Sequence, residues 1–115
     1  MLVLCYARCS TCRKALEWLD EKKIPYTLRD IAADHPGREE LETWWKKSGL
    51  PLKRFFNTSG LKYKALSLKD KLPSMSEEEQ LDLLATDGLL VKRPLVVTED
   101  TVLTGFREEE WKKLV

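Results

Sequence analysis

A single histidine and three cysteines are all that this chain offers a transition metal. Tetrahedral zinc sites take four protein ligands, or three and a water. Neither a second Cys-x-x-Cys nor a histidine pair accompanies Cys9 and Cys12; Cys5 lies in an apolar run and His35 stands far along the chain before a proline. A structural zinc site is therefore not expected. Net charge is nearly absent too. Twenty Lys and Arg against 19 Asp and Glu leave +1, so nothing argues for direct binding to nucleic acid or to a membrane surface. No apolar run approaches the ~20 residues of a membrane span, and the opening "MLVLCYARC" turns polar too soon for a secretory signal. The expected compartment is the cytoplasm, where standing disulfides are rare and a close cysteine pair is redox-active or metal-binding. Repeats, low-complexity tracts and dividing linkers are missing as well, which predicts one domain over residues 1–115.

What the chain does have is clear periodicity. "MLVLCY" reads as a buried strand. Cys12, Ala15, Leu16 and Leu19 fall at i, i+3, i+4 and i+7, the face of a helix that Pro25 ends. "YTLRDI" (26–31) alternates with period two and predicts a second strand. "DHPGREELETWWKKSG" predicts a helix carrying Leu41, Trp44 and Trp45, with Gly49 as terminator. Short helical pieces follow, broken at Asn57–Gly60. Ser76 and Glu79 form a capping-box signature for a helix running toward Gly88. Segments 95–98 and 101–104, turning at Glu99 and Asp100, predict a hairpin before a last helix, "REEEWKKLV". The order predicts an α/β, thioredoxin-like fold: a four-stranded mixed sheet with flanking helices. Its core is 1–33 and 88–115, with a helical insertion of about 34–87 between the second and third strands.

Within that frame the two sulfurs of "CYARCSTC" differ. Cys9 precedes the first helical turn, where unpaired N–H groups and the positive end of the helix dipole favour a thiolate. Arg8 and Arg13 flank the pair and push the same way. Cys12 shares the apolar face with Leu16 and Leu19. The expected division of labour is attack by Cys9 and resolution of the mixed disulfide by Cys12. Cys5 is expected to be a buried filler. In "KRPLVV", the loop entering the third strand can carry Arg93 to Cys9, as a partner for the thiolate or for an anionic substrate.

The stretches "YARCSTCRKALEWLDEKKIPY", "FFNTSGLKYKALSL", "MSEEEQLDLLATDGLLVKRPLVV" and "TGF" before an acidic run resemble, in that order, the ArsC/Spx family over nearly the whole chain. The resemblance implies a thioredoxin-like core, an inserted helical bundle roofing the cysteine loop, and a cis proline at Pro94. Cys9 falls on the nucleophile position of the family's arsenate reductases, and Arg93 on one of their oxyanion-binding arginines. Cys12 falls where those enzymes carry serine, so the Cys-x-x-Cys resembles Spx instead. Asn57 and Phe106 fall where two further oxyanion arginines are implied. Arg54 and Arg107 are their neighbours in sequence, and neighbours on a helix or strand are expected to point elsewhere.

The resemblance therefore implies a thiol–disulfide oxidoreductase of the ArsC-like type, with Cys9, Cys12 and Arg93 catalytic and Arg8, Arg13, Asn57 and Pro94 binding substrate. The substrate class is a small thiol, disulfide or oxyanion. Glutathione, another thiol, or a glutaredoxin- or thioredoxin-type partner restores the dithiol, and no metal or organic prosthetic group is implied. Two alternatives follow from the same resemblance. One is an Spx-type redox-sensing regulator that binds the RNA polymerase α subunit; the other is a glutaredoxin-coupled arsenate reductase.

Overall fold

The computed structural model describes residues 1–114; Val115, the last residue of the expected final helix, lies outside the described residues. The first strand, β1 (Leu2–Cys5), runs into helix α1 (Ser10–Glu21) and then strand β2 (Thr27–Asp30). β1 and β2 pair in parallel, Leu2 opposite Thr27 through Cys5 opposite Asp30, as a helical crossover permits. Late in the chain, β3 (Leu95–Val97) and β4 (Val102–Thr104) form the hairpin. β3 lies antiparallel against β1, Leu2 opposite Val97. The result is a four-stranded mixed sheet of order β2-β1-β3-β4 with helices on both faces, a thioredoxin-like fold.

Strand alternation sorts the core into two layers. Val3, Cys5, Val96 and Leu103 face α1, packing with Cys12, Ala15, Trp18, Leu19 and Trp111. Leu4, Leu95 and Val102 face the other way, onto the inserted helices. The first layer is closed by α6 (Glu108–Trp111), whose fully buried Trp111 donates its indole N–H to the Gly105 carbonyl at 3.0 Å. Trp18 and Phe106 meet Trp111 edge to face, at 5.9 and 4.9 Å between ring centroids. Such pairs add about 0.5–1.5 kcal/mol each beyond their buried area.

The insertion comprises α2 (Arg38–Ser48), a 3₁₀ turn (Leu52–Phe55), α3 (Leu61–Ala65), α4 (Leu68–Lys71), a second 3₁₀ turn (Leu72–Ser74) and α5 (Glu77–Leu84). Gly49 ends α2 in the left-handed region at φ 67, a place where glycine has no Cβ penalty. The capping box forms as expected: Ser76 Oγ accepts from the Glu79 N–H at 3.1 Å and Glu79 accepts from the Ser76 N–H at 2.9 Å. Arg38 ties α2 to α5 through Glu78 and Asp82. Arg29 donates to both oxygens of Glu40, joining β2 to α2 and holding that carboxyl below the usual carboxylate range.

One expectation needs correction. The last long helix stops at Leu84, and a separate 3₁₀ turn, Gly88–Leu90, follows. Asp87 ends the intervening turn by accepting from the Leu89 N–H at 2.9 Å. The strand expected in 26–31 forms, and its Leu28 is 54% exposed because β2 is an edge strand with one side left partly uncovered. No helix among the described residues is long and apolar enough to cross a membrane.

Gly88 is where the insertion rejoins the sheet. A Cβ there would lie 1.6 Å from the Ile31 carbonyl oxygen and 3.0 Å from the His35 Cβ, so neither backbone can stay in place. Gly88→Ala is expected to destabilise by about 3 kcal/mol, read as a lower urea midpoint with an unchanged slope.

Candidate functional site

Cys9 is the N-cap residue of α1, with extended backbone (φ −94, ψ 116) and no side-chain capping bond. Its N–H donates to the Tyr6 carbonyl at 3.0 Å, and its own carbonyl accepts from Arg13 at 3.2 Å. That pins the loop between β1 and α1 while leaving Cys9 partly exposed. The first-turn N–H groups of such a helix have no intrahelical partners and present positive partial charge at the cap. Cys12 lies one turn inward, 1% exposed. Its thiol is pushed well above its ordinary value of 9.0, first by the Cys5 thiol within hydrogen-bonding reach and then by burial. The Tyr6 backbone and the Cys9 thiol offset part of the shift. All three cysteines are free.

Cys9 opens onto a cleft of about 400 Å³ whose lining includes Arg54, Lys92, Arg93 and Arg107. Glu110 sits between two of these cations, 3.9 Å from Arg54 and 3.8 Å from Arg107. Arg93 is held rigidly: its Nη1 donates to the Leu89 carbonyl at 3.2 Å and its guanidinium lies 5.2 Å from the Tyr6 ring centre. Its Nε is buried without a partner, and so is Thr104 Oγ1 on the same cleft. Buried polar groups are nearly always satisfied, so these two unpaired atoms mark a local hydrogen-bond deficit behind the cleft lining. Among the described residues no cluster of three or more His, Cys, Asp or Glu could hold a metal ion.

The roof comes from the insertion. Asn57 N–H donates to the Leu90 carbonyl at 2.8 Å, Lys92 N–H to the Phe55 carbonyl at 2.8 Å, and Phe56 bridges Val91. This antiparallel splice fixes residues 54–60 over the cysteine loop. Asn57 is 8% exposed, accepts from Ser59 Oγ at 3.4 Å, and packs so tightly that a Cβ on Gly60 would lie 2.5 Å from its amide nitrogen.

Cys9, Arg93 and Asn57 thus share one cleft, with Cys12 beneath it. The Arg93–Pro94 peptide is cis, as the resemblance implied. Arg8 and Arg13 are not brought there. Arg8 is exposed and outside the cleft lining, while Arg13 lines a separate groove beside β2, because one step past Cys12 the helix has turned toward that edge. The expectation that Arg54 and Arg107 point away is also corrected, since both line the cleft. Arg54 stands on the 3₁₀ turn Leu52–Phe55, directly before the extended Phe56 that leads to Asn57. Gly105 at φ 74 breaks the strand alternation, so Phe106 and Arg107 both reach the site. Sequence reasoning passed over Lys92 and Thr104; the only signals were their places beside Arg93 and inside "TGF".

Comparison with known proteins decides the relationship. The family model described as ArsC family matches residues 4–114. The chain belongs to the ArsC family. An ArsC-family-related protein from Bacteroides fragilis shares 61% identity and superposes at a TM-score of 0.97, over 99% of this chain and 96% of the other. A possible arsenate reductase from Streptococcus mutans shares 44% identity at a TM-score of 0.87, over 96% of each chain. Bacillus subtilis YusI is 51% identical over 94% of this chain and 92% of its own length. The global transcriptional regulator Spx of Staphylococcus saprophyticus is 28% identical, over 93% of this chain and 80% of its own. Arsenate-reductase-like and Spx-like proteins are both relatives of this ArsC chain.

Seating a neutral Cys12 in this ArsC core has a consequence for stability. A folded-state value raised above the ordinary one means that the folded state keeps a proton the unfolded state has lost. The contribution is therefore complete below 9.0 and declines as pH rises above it. The urea midpoint of the reduced protein is expected to fall from about pH 8 to about pH 10, and to fall less steeply in Cys12→Ala.

Proposed function

We propose that this ArsC-family protein is a thiol–disulfide oxidoreductase working through a Cys9–Cys12 couple in the cytoplasm. The observation that carries the reading is a single juxtaposition. Cys9 stands partly exposed at the start of α1 in a cation-lined cleft, and Cys12 lies directly inward, with its thiol meeting that of Cys9. The Cys9 thiolate attacks one sulfur of a substrate disulfide and expels the other as a thiolate. Cys12 then gives up its proton and displaces the bound half, leaving a Cys9–Cys12 disulfide and two reduced thiols in solution. Glutathione, another small thiol, or a glutaredoxin- or thioredoxin-type protein returns two electrons and the dithiol.

Arg54, Lys92, Arg93 and Arg107 favour an anionic substrate such as a glutathione-type disulfide, by raising its local concentration and orienting it. For an oxyanion, Arg93 supplies charge from a position the resemblance implied and Arg54, Lys92 and Arg107 from others, which keeps arsenate within the substrate class.

A second reading, a redox-sensing regulator, is favoured by the relationship to Spx at 28% identity. In that case the same disulfide alters affinity for the RNA polymerase α subunit and no substrate turns over.

Turnover of a glutathione mixed disulfide separates the two. Cys9→Ser is expected to lower kcat/KM by roughly 10³-fold or more. Cys12→Ser is expected to accumulate glutathione covalently on Cys9, seen by intact mass. Equal turnover by wild type and Cys9→Ser would remove the enzymatic reading. No turnover together with oxidation-dependent capture of the polymerase α subunit would replace it with the regulatory one.

A further inference from the structure

The third cysteine is buried in the core, as expected, and also meets a second sulfur. Cys5 ends β1 on the face that alternation turns toward α1, and its thiol is the strongest influence on Cys12. Cys12 therefore has a sulfur partner on each side, Cys9 outward and Cys5 inward. The two sides open differently. Cys9 lines the cation-rich cleft, to which neither Cys5 nor Cys12 contributes. Cys5 and Cys12 together line a separate groove of about 270 Å³ beside β2, with Leu16, Leu28 and Asp30 on its walls and without Cys9. A bond between Cys5 and Cys12 would thus face different surroundings from one between Cys9 and Cys12.

We propose that Cys5 is a third redox thiol, which takes the disulfide over from Cys9 and carries it to the groove between α1 and β2. The inference rests on the Cys9–Cys12 reading and extends it. In the exchange the Cys5 sulfur loses its proton and bonds to the Cys12 sulfur. The Cys9–Cys12 bond breaks, and its electron pair leaves on the Cys9 sulfur, which holds it as a thiolate or accepts the proton. One disulfide and one thiol stand on each side, so no further oxidant or reductant is consumed. Exchange of this kind needs a sulfur close to the one attacked and a leaving sulfur able to carry charge. Cys9, at the helix cap and open to solvent, is the better placed to leave. The result separates two tasks in space: Cys9 becomes free to engage a second substrate while the oxidised pair waits at the groove for its reductant.

The sequence supplies a direct readout. Trypsin cuts after Arg8 and Arg13, so a Cys9–Cys12 disulfide stays inside the peptide 9–13, whereas a Cys5–Cys12 disulfide joins that peptide to 1–8. The reduced protein is treated with one equivalent of diamide, quenched with acid, alkylated with N-ethylmaleimide and mapped by mass spectrometry. The expected wild-type result includes the joined pair with Cys12 as its bonded residue and Cys9 alkylated. Cys5→Ser is expected to oxidise with complete loss of alkylatable Cys9. A wild type in which Cys5 stays alkylatable, or bonds to anything other than Cys12, overturns the relay. If Cys9–Cys12 still forms in that case, the two-cysteine reading survives. Absence of any disulfide in both proteins overturns both.

Discussion

Cys12 sits dry at the contact between α1 and β1, with thiols on two sides and its proton tightly held. That one placement links the fold to the chemistry. The same packing that buries Val3, Ala15 and Leu19 also buries this sulfur, and burial keeps it neutral until a bond to another sulfur removes the need for charge. Forming a disulfide there eliminates a thiolate that the core would resist. In the proposed cycle oxidation and packing therefore favour the same end state, with Cys12 held behind the partly exposed Cys9 in the reduced protein.

The cleft depends on a second constraint, the splice of the insertion onto the chain that leads into β3. Two backbone hydrogen bonds of 2.8 Å, which pair Phe56 with Val91 as an antiparallel bridge, hold Phe55–Asn57 against Leu90–Lys92. Through them, Arg54 from the insertion, Arg93 from the loop before β3 and Arg107 from beyond β4 converge within reach of Cys9. Mutual repulsion among these cations is tempered by Glu110 and by the Tyr6 ring beneath Arg93. The arrangement is positive, partly shielded and incompletely hydrogen-bonded. Those properties suit reversible binding of an anion.

Much of the fold was legible because its signals are local. The period of Cys12, Ala15, Leu16 and Leu19, the reciprocal cap of Ser76 and Glu79, and Gly49 after α2 each depend on a few adjacent residues. The Cys9–Cys12 contrast was legible for the same reason, since a helix start and an apolar face are written side by side. The site beyond it was not. Leu28 shows what a period leaves open: its alternation is that of a strand, and an edge position in the sheet decides that one side stays partly uncovered.

The sequence by itself determined the element types, a helix start beside Cys9 and the spacing that brings Cys12 one turn inward, because each is set by backbone propensity over a handful of residues. Only the tertiary structure decided that Arg54 and Arg107 enter the cleft while Arg8 and Arg13 do not, and that Cys5 meets Cys12. Those outcomes depend on a 3₁₀ turn, a left-handed glycine and the parity of a strand docked on a helix. They are facts about the directions of side chains separated by dozens of residues, which no local pattern encodes.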